Sequence, residues 1–290
     1  MRILVCAKND LAGLLACNRL SPGLAEDQVS FWLSDVTRRD ELDDPDLAAL
    51  RLFERNLPNR WILPLLEARG PVDGPTYLTF RQLARRHGGE LRHVSSLSGP
   101  DVVRDIERHA PDLLISIRFS HIFPARLLQI PRLGSLNIHP GELPQYAGLF
   151  APFWQILDDR ATIGCTVHWI DQGIDTGPVL WCGWLPVDPG RSLLWHVCRT
   201  YPVGVDEVLA LVRQMGRGRR PAGLIQDRRA RHYFRLPTRD DFARFKAKGF
   251  RVVDDDDYDE LLAPFGVRPG GLGPDESVSD AASGGLRRPA

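Results

Sequence analysis

Short apolar runs alternate along this chain with amphipathic stretches, and their order predicts the architecture. Residues 2–6 form an almost wholly apolar run, the pattern of a central parallel strand buried on both faces. A helix is predicted over Ala12–Leu20, ended by Ser21-Pro22-Gly23, and Gln28–Ser34 alternates as a second strand. The rhythm resumes with a helix over Thr79–His87, a strand over Glu90–Val94, a helix over Pro100–His109 and an apolar strand over Asp112–Ile117. A short helix over Pro124–Gln129 starts at Pro124, and Gly134–Ile138 is the next strand. This βαβα order predicts an α/β fold, a Rossmann-like open and mostly parallel sheet with helices on both faces. In such sheets ligands bind beyond the carboxyl ends of the strands.

The second half predicts a helix over Phe150–Leu157 and strands over Gly164–Ile170 and Val179–Leu185. Arg191–Arg199 and Val203–Met215 are expected as two helices split at Tyr201-Pro202, because proline breaks the helical ladder. An arginine-rich connector over 216–235 leads to a short strand pair near His232–Arg235, and a last helix covers Asp240–Lys248. Residues 36–78 are charged and hold several prolines, the signs of an insertion or lid with one or two helices, such as Asp46–Asn56. The expected organisation is a main domain over 1–215, a short C-terminal α/β extension over 216–267 and a disordered tail over 268–290, rich in Gly, Ser, Pro and Asp. No internal repeat is present.

Composition narrows the function. The 290 residues carry 37 basic and 37 acidic side chains, so no long-range field steers the molecule to nucleic acid or membrane. No apolar stretch is long enough to cross a bilayer, and the N-terminus reaches Lys8 and Asp10 too soon for a signal peptide. The cysteines, Cys6, Cys17, Cys165, Cys182 and Cys198, are odd in number and none stands at C-x-x-C spacing. A disulfide framework or zinc site is not expected, and a reducing cytoplasm is.

The chemistry concentrates in two segments. Ser135-Leu136-Asn137-Ile138-His139-Pro140-Gly141 places an amide and an imidazole on one edge at a strand end, and Asp171-Gln172-Gly173-Ile174-Asp175-Thr176-Gly177-Pro178 adds a carboxylate on a glycine-punctuated loop. Passing an acyl group to an amine requires an oxyanion to be stabilised and protons to be moved. An amide aimed at an oxyanion contributes roughly 2.7–4 kcal/mol, and a positioned imidazole about 10²–10⁴-fold. The plainer alternatives are a turn at Asn-x-His-Pro and an Asx-turn at Asp171–Gly177. A calcium loop is disfavoured, since the twelfth position from Asp171 is Cys182 and not Glu.

Asn137-Ile138-His139-Pro140, Leu143-Pro144-x-Tyr146-x-Gly148, Gly164-Cys165-Thr166-Val167-His168 and Asp171-x-Gly173-x-Asp175-Thr176-Gly177-Pro178 together resemble the 10-formyltetrahydrofolate-dependent formyltransferases. The resemblance is densest over residues 110–185, extends more loosely over 1–215, and is nearest in layout to the sugar N-formyltransferase branch. It implies a catalytic domain over 1–215 and 10-formyltetrahydrofolate as formyl donor. Asn137 would hold the formyl oxygen, His139 would assist proton transfer, and Asp175 would orient and charge the histidine. The donor's folate head would sit between Phe119, Ser120, His121 and Ile122 on one side and Asp171, Gly173 and Ile174 on the other. The chain departs from the family in having Gly141 where serine often follows His-Pro, and Ala147 where arginine often precedes Gly148.

A small-molecule amine is the expected acceptor, first a nucleotide-linked amino-dideoxy sugar, with an amino acid, peptide or other metabolite amine left open. Only a short stretch follows Met215 where a basic tRNA-binding barrel would be needed, and Ala7–Gly13 is not a Gly-rich phosphate loop. The arginines Arg213, Arg217, Arg219, Arg220, Arg228, Arg229, Arg231 and Arg235 are either a pyrophosphate site or a solvated loop. Trp154, Trp169, Trp181, Trp184 and Trp195 are assigned to the core or a homodimer surface, with stacking on a base or sugar as the alternative. His168 and His196 are expected to be structural. Lys8 and Asn9 follow the first strand within reach of an acceptor. A 10-formyltetrahydrofolate hydrolase and a non-catalytic folate-binding protein are the competing classes.

Overall fold

A computed structural model describes residues 1–36, 44–69 and 76–267. The tail expected over 268–290 and parts of 36–78 therefore lie outside the described residues. Seven strands form one sheet: β1 (Arg2–Lys8), β2 (Gln28–Ser34), β3 (Leu91–Val94), β4 (Leu113–Ile117), β5 (Ser135–His139), β7 (Thr162–Trp169) and β8 (Val179–Pro186), in the order β3-β2-β1-β4-β5-β7-β8. The first five pair in parallel, and β7 and β8 add antiparallel at one edge. Strand β6 (Ala147–Gly148) and β9 (Tyr233–Phe234) make a separate two-stranded ladder. The strand expected near His232–Arg235 is thus present, but its partner comes from the loop after β5.

The apolar runs are explained by burial on both faces. In β1, Ile3, Val5 and Ala7 join the larger core, while Leu4 and Cys6 face the smaller one with Trp32 and Leu114. Helix α1 (Leu11–Leu20) follows β1, with Asp10 as its N-cap accepting from the Gly13 N–H at 2.8 Å. Residues 44–69 form an arm: α2 (Pro45–Arg51), two π-helical turns over Leu52–Asn56 and Pro58–Ile62, and α3 (Leu63–Arg69). Leu47, Leu50 and Ile62 fix the arm to the larger core. Helices α4 (Phe80–Arg86), α5 (Pro100–His109), α6 (Ala125–Leu128) and α7 (Ala151–Leu157) fall within a residue or two of the segments expected for them.

One expectation fails. Leu193–Gly216 is a single helix, α8, and Pro202 lies inside it. Proline removes one N–H from the ladder, but Leu193, Val197, Tyr201, Val205 and Val208 bury one long face in the larger core, and that packing outweighs the local penalty. After α9 (Arg239–Ala247), a further helix, α10 (Asp255–Leu262), was not foreseen, because its acidic first turn masks the apolar residues behind it. Phe242 and Phe245 of α9 pack on Phe153 at ring separations of 5.0 and 4.9 Å, so residues of the 216–267 segment share the larger core. Among the described residues no helix is long and apolar enough to cross a membrane.

Candidate active site

The strands of the parallel set end on one side of the sheet, and a cleft of about 300 Å³ opens there. Its floor is the end of β5 facing the start of the β7–β8 loop. The antiparallel register sets Asn137 directly opposite His168. Cross-strand neighbours in such a pair come close enough for their side chains to bond. The Asn137 Nδ2 and His168 Nε2 are 3.0 Å apart, and the His168 Nδ1 is 2.8 Å from the Trp169 carbonyl oxygen. A carbonyl can only accept, so Nδ1 donates and Nε2 is left as the acceptor for the Asn137 amide. Burial lowers the His168 pKa below the ordinary histidine value, although the Asp175 carboxylate pulls the other way. The imidazole is therefore held neutral, the form this hydrogen bond requires.

His139 is buried and held in the same manner. Its Nε2 donates to the Tyr146 carbonyl at 2.6 Å, which leaves Nδ1 to take or release a proton. The Asp175 Oδ1 lies 3.5 Å from that Nδ1 and 3.7 Å from the His168 Nε2. The other carboxylate oxygen, Oδ2, accepts the Gly148 N–H at 2.9 Å. Asp175 adopts a left-handed backbone at φ 54°, and Gln226 donates to its carbonyl at 3.0 Å and to that of Gly177 at 2.7 Å. Arg231 donates to the Ile174 carbonyl at 3.0 Å. The connector after α8 thus clamps the loop that carries the carboxylate.

Gly141 has a local reason. A Cβ built there would lie 2.6 Å from the Tyr146 oxygen and 2.8 Å from the His139 Nε2, so a serine at this position collides with the bond that fixes the imidazole. Gly148, at φ 96°, brings its N–H to Asp175 in a conformation side chains disfavour.

All ten residues expected from sequence as catalytic or donor-binding line this one cleft: Asn137, His139 and Asp175 at the floor, with Phe119, Ser120, His121, Ile122, Asp171, Gly173 and Ile174. Asp171 forms an Asx turn, its Oδ1 accepting from the Gly173 N–H at 3.0 Å and the Thr176 hydroxyl at 2.6 Å. Lys8 also lines the cleft. The five tryptophans and the eight arginines of 213–235 do not. Two of those arginines are otherwise engaged, Arg231 on the Ile174 loop and Arg220 over the Trp169 ring at 4.6 Å. His196 is buried on α8, where its Nε2 accepts the Asp188 N–H at 3.0 Å, a structural role. His168 differs from its expectation, because it both lines the cleft and holds Asn137.

A further part of the lining was not singled out from sequence. It consists of Leu47, Leu50, Arg51, Glu54 and Arg55 from the arm, with Arg118 at the end of β4. Arg118 is 13% exposed and in a left-handed conformation at φ 59°; its Nε donates to Asp10 Oδ2 at 3.0 Å and a terminal nitrogen pairs with Glu54. Burial works against its charge, yet Asp10 and Glu54 outweigh that and hold its pKa above the ordinary arginine value. The one available signal was a charged residue directly after a strand that is apolar but for Ser116.

Comparison with known proteins finds similarity over the segment that carries the site. Residues 77–194, which include the cleft floor, match the model for formyl transferases. Over this segment the chain is similar to the formyl transferase family. Among curated relatives, a methionyl-tRNA formyltransferase of Trichlorobacter lovleyi is 34% identical over 113 residues, covering 39% of this chain and 36% of the relative. One from Geobacter sulfurreducens is 32% identical over 135 residues, covering 46% and 43%. The chain thus matches less than half the length of these relatives. Among solved structures, a sugar N-formyltransferase from a Shewanella species aligns with TM-score 0.53 at 15% identity, over 84% of this chain and 87% of that one. A glycinamide ribonucleotide transformylase from Symbiobacterium toebii aligns with TM-score 0.53 at 17% identity, over 78% and 95%. These structural likenesses establish the Rossmann-like fold.

Proposed function

We propose that this protein is an N-formyltransferase that moves a formyl group from 10-formyltetrahydrofolate to the amine of a small molecule. The observation that carries the proposal is the meeting of the Asn137 amide, the His139 imidazole and the Asp175 carboxylate at the floor of one cleft. The residues fit the donor: Phe119 and Ile122 offer apolar surface for a flat ring, and the 171–174 loop lines the same cleft. Bound there, the folate supplies an activated formyl group.

Each side chain then has one task. Asn137 spends one N–H on His168 and keeps the other for the negative charge that grows on the formyl oxygen. His139 has its Nε2 fixed on Tyr146, so Nδ1 is where it takes or gives a proton. Asp175 stands beside that nitrogen, its Oδ1 3.5 Å away, where it orients the ring. The incoming amine nitrogen bonds to the formyl carbon, the bond from that carbon to the donor nitrogen breaks, and the proton leaving the amine ends on the donor nitrogen.

For the acceptor, we place a nucleotide-linked amino-dideoxy sugar first. Structural neighbours described as sugar N-formyltransferases support this class, while the sequence relatives described as methionyl-tRNA formyltransferases support a tRNA-borne amine. The experiment is release of tetrahydrofolate from 10-formyltetrahydrofolate by purified protein, without amine, with amino-sugar nucleotides, with free amino acids and with methionyl-tRNA. Release that requires an amine is the expected result and names the acceptor class. Release without any amine would replace the transferase by a hydrolase.

A further inference from the structure

Four cations line the cleft, and three have carboxylate neighbours. Lys8 Nζ lies 4.0 Å from Asp10 Oδ2, Arg118 pairs with Asp10 and Glu54, and an Arg55 terminal nitrogen is 3.9 Å from Asp35 Oδ1. Arg51, the last residue of α2, has no carboxylate, carbonyl or ring partner among the described residues, and its Nε is buried without an acceptor. Leaving a buried N–H unmet is costly, more so on a charged group, so such a donor calls for a ligand atom. The guanidinium fork matches two oxygens of a carboxylate or phosphate, and Leu47 and Leu50 of the same helix give its surroundings an apolar wall that strengthens such a pair.

We propose that Arg51 receives the anionic oxygen group, a carboxylate or a phosphate, of the amine acceptor, so that this enzyme formylates anionic amines. The proposal rests on the formyl-transfer reading of the cleft. Residues 119–122 and 171–174 are given to the donor, and the arm is a separate element lining the same cleft, so an anion held at Arg51 is assigned to the acceptor. A nucleotide-linked sugar meets the requirement through its phosphates, an amino acid through its carboxylate.

The test is calorimetric titration of the full chain, saturated with 5-formyltetrahydrofolate as a non-reacting donor analogue, with inorganic phosphate and separately with acetate. Binding of at least one anion to the unaltered protein is expected, weakened roughly tenfold or more by Arg51→Gln. Arg51→Lys falls between, since it keeps the charge and loses the fork. Arg60→Gln, on the exposed side of the arm, serves as control, and circular dichroism verifies that each variant folds. Phosphate binding points to a phosphorylated acceptor, acetate binding to an amino acid. No anion binding to the unaltered protein, or equal binding by Arg51→Gln, overturns the proposal. So does a loss of 5-formyltetrahydrofolate affinity in Arg51→Gln, which would give Arg51 to the donor's own glutamate. Failure of the unaltered protein to bind 5-formyltetrahydrofolate at all would strike the formyl-transfer reading instead, while phosphate titration without it still reports on Arg51.

Discussion

Two parts of the cleft lining are built by different means. The floor and the lining beside it come from strand ends and short loops, and neighbours in space are set by the sheet register: Asn137 faces His168 across β5 and β7, and His139 reaches Tyr146 within its own loop. Another part of the lining is an arm packed on the larger core and fastened by charges distant in sequence, Arg118 to Glu54 and Lys246 to Asp46. The first arrangement is rigid because backbone geometry imposes it. The second depends on a few side chains, so changes there should alter stability and acceptor preference before they alter chemistry.

The floor gives the largest expected effect. Removing the imidazole in His139→Ala should cut turnover by about 10²–10⁴-fold while binding of 5-formyltetrahydrofolate stays within a few-fold. Single-turnover kinetics and equilibrium titration on the same preparation check both halves. Turnover that survives the substitution would remove His139 from the mechanism and dissolve the contrast between the two parts of the lining.

The arm gives an intermediate effect. In Glu54→Gln the nearly buried Arg118 keeps Asp10 but loses one of its two carboxylates. Removing one partner of a buried ion pair costs roughly 3–5 kcal/mol, and the surviving Asp10 pair reduces the expected loss to about 2 kcal/mol. Urea denaturation measures it. Affinity for 5-formyltetrahydrofolate should be unchanged, and the KM for the acceptor should rise more than kcat falls. Unaltered stability would mean that the latch on the arm is ornamental.

The same contrast explains what was legible in the sequence. The strands announced themselves because burial on both faces demands nearly continuous apolar runs, as in Leu113–Ile117, broken only by Ser116. The floor was legible because its residues fall in motifs whose spacing follows from strand and loop lengths. The arm was not: Asp46–Asn56 looked helical, but nothing local shows that Glu54 meets Arg118, or that Arg51 turns toward the cleft rather than solvent. Pro202 misled for the opposite reason, a strong local signal overridden by the core that α8 buries. His168 was taken as structural because a lone histidine in an apolar strand usually is; its link to Asn137 needs the pairing register, which the sequence does not print.

The smallest effect is one of pH, and it sharpens the account of His168. Burial lowers the pKa of His168, and likewise of His87 and His196, below the ordinary value of 6.5. For each, the unfolded chain binds a proton that the folded one refuses as pH falls below that value. Stability therefore rises with pH through this window and is lost on acidification, flattening once the folded histidine also titrates. One such proton contributes a slope of at most about 1.4 kcal/mol per pH unit. His168→Gln should remove one of the three contributions, giving a shallower fall in denaturation midpoint between pH 6.5 and 5. Protonation would also turn the His168 Nε2 into a donor facing the Asn137 amide, and the amide would have to rotate its oxygen inward, withdrawing the N–H meant for the formyl oxygen. The acid limb of turnover should accordingly change shape in His168→Gln. An identical acid limb, with an identical stability slope, would show that the imidazole opposite Asn137 is packing rather than a positioning group.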